Sequence, residues 1–170
     1  DVTILIRDEN TRDASSALLT LSHEFVHALQ DERENIEALF DRWAETSDDA
    51  LALRGLVEGE AVALSNLTML HPRGLDPSRV LWDEYFGGWT KELMADVAVS
   101  DRPLLDARSL VYPVGGRGVI ETFLAGGMER VRKLYEKPAL TFRGWSYAPP
   151  VAQAPEPMDC EPPDAPAGYA

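Results

Sequence analysis

The chain has 170 residues, room for one domain with a sizeable core rather than two. With 16 Lys and Arg against 29 Asp and Glu, its formal net charge is −13 and its pI about 4.5, a balance that repels phosphate backbones and anionic lipid surfaces and argues against a nucleic-acid or polybasic membrane role. Cys160 is the one cysteine, so neither an intrachain disulfide nor a cysteine-based zinc site can form, and no apolar run approaches the roughly 20 residues of a membrane span.

The chain opens on Asp1 without a signal-peptide pattern, which leaves room for a processed product, secreted or held at the cell envelope, and keeps the compartment open. Val2-Thr3-Ile4-Leu5-Ile6 is β-branched and reads as a strand, either an ordinary edge strand or one that aligns a substrate backbone. Residues 15–31 lack proline and glycine and carry Leu18, Leu21, Phe25 and Leu29 at steps of three and four, an amphipathic helix whose core stripe these four are expected to form. On the opposite face fall His23 and His27 with Thr20, Glu24, Gln30 and Asp31. That helix contains His23-Glu24-Phe25-Val26-His27, an H-E-x-x-H motif. Two histidines four residues apart project from one helical face and can hold one zinc ion, while Glu24 reaches a water on the metal as general base.

Residues 35–44 read as a short packing helix through Ile36, Leu39, Phe40 and Trp43. Ser47-Asp48-Asp49 then opens a longer helix, ended near residue 70 by His71-Pro72-Arg73-Gly74. Its segment Leu56-Val57-Glu58-Gly59-Glu60-Ala61 places Glu60 amid an apolar stripe and Glu58 on the flank near Val62 and Ser65. A buried glutamate costs several kcal/mol unless paired, and zinc or a zinc-bound histidine is a suitable partner. His71 reads as a helix-terminus residue outside the site. Residues 77–99 are helical with a bend at Gly87-Gly88 and core aromatics, and 103–112, 114–124 and 128–136 continue the pattern, interrupted at Tyr112-Pro113 and Gly115-Gly116-Arg117-Gly118. That glycine cluster lacks the Lys-Ser/Thr of a phosphate loop, and Glu121 takes the third glycine's place of G-x-G-x-x-G, so nucleotide binding is rejected. From residue 148 the chain turns to Pro, Ala, Glu and Asp, a disordered tail beyond a domain at 1–147. The expected fold is mostly α, with α+β and a small sheet as the alternative.

The chain resembles the zincin metallopeptidases of gluzincin type, in which a glutamate on a later helix is the third ligand. His23 to Asp31 is similar to the H-E-L-T-H-A-L-Q-D form of predicted bacterial metallopeptidases, whose V-E-G-[DE]-A and Y-P-x-x-G segments match Val57 to Ala61 and Tyr112 to Gly116. The resemblance implies a zincin-like helical domain that binds Zn2+ through His23, His27 and Glu58, with Glu24 as base and Asp31 as an acid supporting the ligands one turn beyond His27. Val62 stands where thermolysin-like members place a further acid, which leaves that supporting contact missing or made by Glu60.

Helical periodicity selects Glu60 as the inward carboxylate and the resemblance selects Glu58 as ligand. The two are reconciled with Glu58 on the metal and Glu60 accepting a hydrogen bond from a ligand histidine or another buried donor, Gly59 letting backbone approach the motif helix. The expected activity is zinc-dependent hydrolysis of a peptide bond in a peptide or protein substrate, with Tyr112, fixed by the Tyr-Pro turn, as candidate donor to the oxyanion and a packed tyrosine as its alternative role. The rival readings are an inactive zincin-like binding module that uses zinc structurally, and a helical interaction domain whose motif is accidental. Oligomeric state is open.

Overall fold

Helix α3 (Ser47–Leu70) is the element the rest packs around. It starts with a capping box, in which Thr46 Oγ1 accepts from the Asp49 amide at 3.2 Å and the Asp49 carboxylate accepts from the Thr46 amide at 2.8 Å. It ends where Pro72 and the left-handed Gly74 turn the chain. Ala52, Leu53, Leu56, Ala61 and Ala63 along it are fully buried. The computed structural model describes residues 13–139, 141, 142 and 144, so the strand expected at Val2 to Ile6 and the tail expected from 148 lie outside the described residues. Within them the fold is mostly α, with no strand.

Three further long helices complete the fold, α1 (Ala14–Glu34) and α6 (Val111–Glu136) packed directly on α3 and α4 (Trp82–Val99) packed on α6. Helix α1 (Ala14–Glu34) begins at Asp13, whose carboxylate accepts from the Ser15 and Ser16 amides, both at 2.9 Å. Asn35, at φ 51°, ends α1 in the left-handed region, and its side chain accepts from the Ala38 amide to start α2 (Ile36–Trp43). Helix α4 (Trp82–Val99) and the short α5 (Pro103–Asp106) lead into α6 (Val111–Glu136). The core joins Leu53 and Leu56 of α3 to Leu39 of α2, Phe86 of α4, and Val119, Ile120 and Val131 of α6.

Glycine sets the closest crossing. A Cβ on Gly115 of α6 would stand 1.8 Å from the Gly55 carbonyl oxygen of α3, and one on Gly59 would stand 2.3 Å from the Gly115 carbonyl carbon. The backbones of α3 and α6 therefore touch, which no side chain would permit. Gly59 thus brings α6 to α3; the partner expected from sequence was the motif helix.

Several sequence expectations change here. Pro113 lies in the first turn of α6, where its missing N–H has no helical acceptor to lose, so the helix runs through Tyr112-Pro113 and the glycine cluster. It breaks only at Gly126 and Gly127, the latter at φ 67°, between the expected segments 114–124 and 128–136. Helix α4 runs through Gly87 and Gly88 as one continuous helix, and Tyr85 on it is 45% exposed rather than core.

The largest correction concerns α1. Leu18, Leu21, Phe25 and Leu29, expected to be core, are 41%, 45%, 56% and 46% exposed, while Val26 and Gln30 are buried against α3. The periodicity located the two faces correctly and assigned them to the wrong sides. The polar face turns inward because α3 and α6 supply hydrogen-bond and ionic partners there, which a helical wheel of α1 alone does not contain.

Candidate metal centre

His23 and His27 stand one turn apart on the inward face of α1, and Glu58 faces them from the middle of α3. The His27 Nε2 atom lies 3.1 Å from His23 Nε2, and Glu58 Oε2 lies 3.3 Å from His23 Nε2 and 3.2 Å from His27 Nε2. The three side chains are half-buried. In a tetrahedral zinc site with bonds of about 2.0–2.1 Å, donor atoms stand about 3.3–3.4 Å apart. The triangle of two imidazole nitrogens and one carboxylate oxygen therefore fits zinc in both donor chemistry and spacing, and these three residues could hold a metal ion. Glu58 is the carboxylate brought to the histidines.

Electrostatics keep Glu58 ionised. Burial alone would raise its carboxyl, but hydrogen bonding and charge from His23 and His27 together hold it down at about 2. Burial likewise disfavours a charged His27, and contacts with Glu58 and Gln30, with the charge of Glu24 behind them, outweigh it and raise its pKa above 6.5.

Glu24, between the histidines in sequence, makes no hydrogen bond or ion pair among the described residues, and its charge is felt at both His27 and Tyr112. Tyr112, at the start of α6, has its ring centroid 6.2 Å from that of His23 and stacks on Trp89 of α4 at 6.5 Å. Burial, and then the charge of Glu58, raise its pKa against the opposing effect of Arg54, so the phenol keeps its proton.

Glu60 is fully buried and turned away from the histidines. Its carboxylate takes a two-pronged contact from Arg33, at 3.1 and 3.0 Å, and accepts from Tyr135 at 2.5 Å and from Gln30 Nε2 at 2.9 Å. Arg33 also sits 5.1 Å above the Tyr135 ring. Of the two donors expected for Glu60, a ligand histidine or another buried group, the structure shows the second, and Gln30 stands between Glu60 and His27 with Oε1 2.8 Å from His27 Nδ1. The support expected from Asp31 is not made to His27: its carboxylate accepts from the Ile36 amide at 3.2 Å and ties α1 to α2. His71 lies at the exposed end of α3, away from the cluster.

Sequence reasoning placed Gln30 on the histidine face and gave it no role; its i,i+3 spacing from His27 was the available signal. It also missed two hollows flanking the centre. One of about 210 Å³ is lined by His23, Val62, Asn66, Tyr85, Trp89 and Tyr112, and one of about 400 Å³ by His27, Asp31, Phe40, Arg54, Val57 and Glu58. Nothing on α1 alone signals them, since most of their walls come from α2, α3, α4 and α6. No protein-family model, curated protein or solved structure matches the chain. Among the described residues no helix is long and apolar enough to cross a membrane.

Proposed function

We propose that the chain is a zinc-dependent peptidase of gluzincin-like design, with His23, His27 and Glu58 as the residues that hold the metal. The observation that carries this reading is the convergence of their three donor atoms at 3.1–3.3 Å beside a glutamate with no hydrogen-bond or ion-pair partner among the described residues. When bound, Zn2+ supplies Lewis-acid polarisation of a carbonyl and lowers the pKa of water towards about 7.

The chain's own residues supply the proton transfers and the positioning. Glu24, unpaired, takes a proton from the attacking water and returns it to the leaving amine. Tyr112 retains its phenolic proton and donates it as a hydrogen bond to the carbonyl oxygen as negative charge develops there. The 210 Å³ hollow has His23 as its only ionisable wall besides tyrosines, so it takes one uncharged side chain next to the scissile bond.

An open apolar groove of about 780 Å³ beside the outer face of α1, lined by Leu21, Phe25, Leu29, Leu67, Phe123 and Met128, favours a second reading, a partner-binding module in which the metal is a staple. Hydrolysis separates the two. The zinc-loaded protein is incubated with a mixed peptide library and cleavage is read by mass spectrometry. The peptidase reading expects turnover that Glu24→Gln lowers by about 10² to 10⁴ with zinc retained. Equal turnover in the variant overturns the role of Glu24, and a zinc-loaded protein that cleaves nothing favours the binding module.

A further inference from the structure

We infer that Gln30 is a positioning residue for the metal centre: its amide fixes the proton of His27 on Nδ1 and so turns the Nε2 lone pair towards His23 and Glu58. The inference rests on the metal-centre reading above and is independent of hydrolysis.

The amide orientation follows from its neighbours. Gln30 Nε2 lies 2.9 Å from the Val57 carbonyl oxygen, an atom that can only accept, and 2.9 Å from the Glu60 carboxylate. The Tyr135 hydroxyl donates to Glu60 and offers its lone pair to the same nitrogen at 3.0 Å. Reversing the amide would set its oxygen against a carbonyl and a carboxylate, so the nitrogen must stay where it is. The other end, Oε1, is an acceptor and faces His27 Nδ1 at 2.8 Å. Gln30 is fully buried, and no solvent competes for that contact. The proton of a neutral His27 is therefore on Nδ1, and Nε2 carries a lone pair.

The consequence lies across the ring. His27 Nε2 and the ionised Glu58 Oε2 are lone-pair atoms 3.2 Å apart, with no proton of His27 between them. A cation relieves that arrangement, whereas the opposite tautomer would fill the space with a proton that a metal must displace. The anchors of Gln30 come from α3 and α6, so the packing of three helices is transmitted to one ring nitrogen.

The test uses the full chain, metal-free and 15N-labelled at histidine, at a pH where His27 is neutral. Ring-nitrogen NMR is expected to show His27 as the Nδ1–H tautomer. Gln30→Met, which keeps length without polar ends, is expected to yield mixed tautomers and a zinc affinity weakened about 10- to 100-fold. An Nε2–H tautomer in the parent overturns the inference, as does a folded Gln30→Met with parental tautomer and affinity. Should Gln30→Met not fold, the parent spectrum decides alone. A parent that shows the Nδ1–H tautomer but takes up no zinc overturns the metal-centre reading and leaves the proton assignment standing.

Discussion

Glu58 and Glu60 are the same residue type two positions apart on α3, and they end in opposite surroundings. Glu60 is fully enclosed, with both oxygens engaged by Arg33 and one also by Tyr135 and Gln30. Glu58 keeps 18% of its side chain exposed and, among the described residues, pairs with two imidazole nitrogens. A closed polar cluster holds the fold, whereas an open one made of lone-pair atoms is arranged for a cation. The comparison also explains why Glu60, though more deeply inward, is the poorer ligand: its lone pairs are already committed.

The largest expected difference is in stability. Glu60→Ala leaves the Arg33 charge and the Tyr135 hydroxyl without their buried acceptor, takes one of its acceptors from Gln30, and is expected to cost about 3–5 kcal/mol, the range for breaking a buried ion pair. Denaturant unfolding of the metal-free protein reads this directly. Glu58→Ala should be much milder in the same assay, and comparable losses in the two variants would erase the distinction drawn here.

A smaller effect concerns the crossing that sets the register of both glutamates. Gly115→Ala forces a methyl against the Gly55 carbonyl and is expected to destabilise by about 1–3 kcal/mol through separation of α3 from α6. A parental unfolding midpoint in that variant would show that the helices have room to spare.

The smallest effect is the pH response of the open cluster. A His27 pKa raised above 6.5 contributes stability that is complete below 6.5 and is lost as pH rises through the folded value. A Glu58 carboxyl lowered from 4.5 to about 2 contributes stability that is complete above 4.5 and is lost as pH falls towards 2. In chelator, the melting temperature should therefore show its cluster contribution in full between about pH 4.5 and 6.5, and Glu58→Ala should flatten both flanks. An unchanged pH profile in that variant would mean the pairing contributes nothing.

How far the sequence carried this picture differs by element. The helix holding His23 and His27 was legible because its residues carry both a 3.6-residue period and a metal-binding spacing. The direction in which that helix faces was not, since Leu18, Leu21, Phe25 and Leu29 announce an apolar face without saying what covers it. The break between residues 124 and 128 was legible, but two further interruptions were expected in α6 because Pro113 and Gly115 were read as local breakers, while Pro113 suits a first turn and Gly115 serves a partner helix 56 to 60 positions upstream. Glu60 was correctly expected to be buried and paired, but its partners Arg33 and Tyr135 come from α1 and α6, beyond the reach of periodicity on α3. Gln30 lay in plain view on the histidine face, and only the tertiary acceptors at Val57 and Glu60 reveal which way its amide points.

The central claim, that Glu58 and not Glu60 completes a metal site with His23 and His27, is tested most directly by titrating zinc into the parent, Glu58→Ala and Glu60→Gln under competition with a chelating dye. The account predicts one zinc per chain in the parent, loss of stoichiometric binding in Glu58→Ala, and retained binding in Glu60→Gln weakened by no more than about 10- to 100-fold. Retained zinc in Glu58→Ala with loss in Glu60→Gln, or a parent that takes up no zinc, would contradict it.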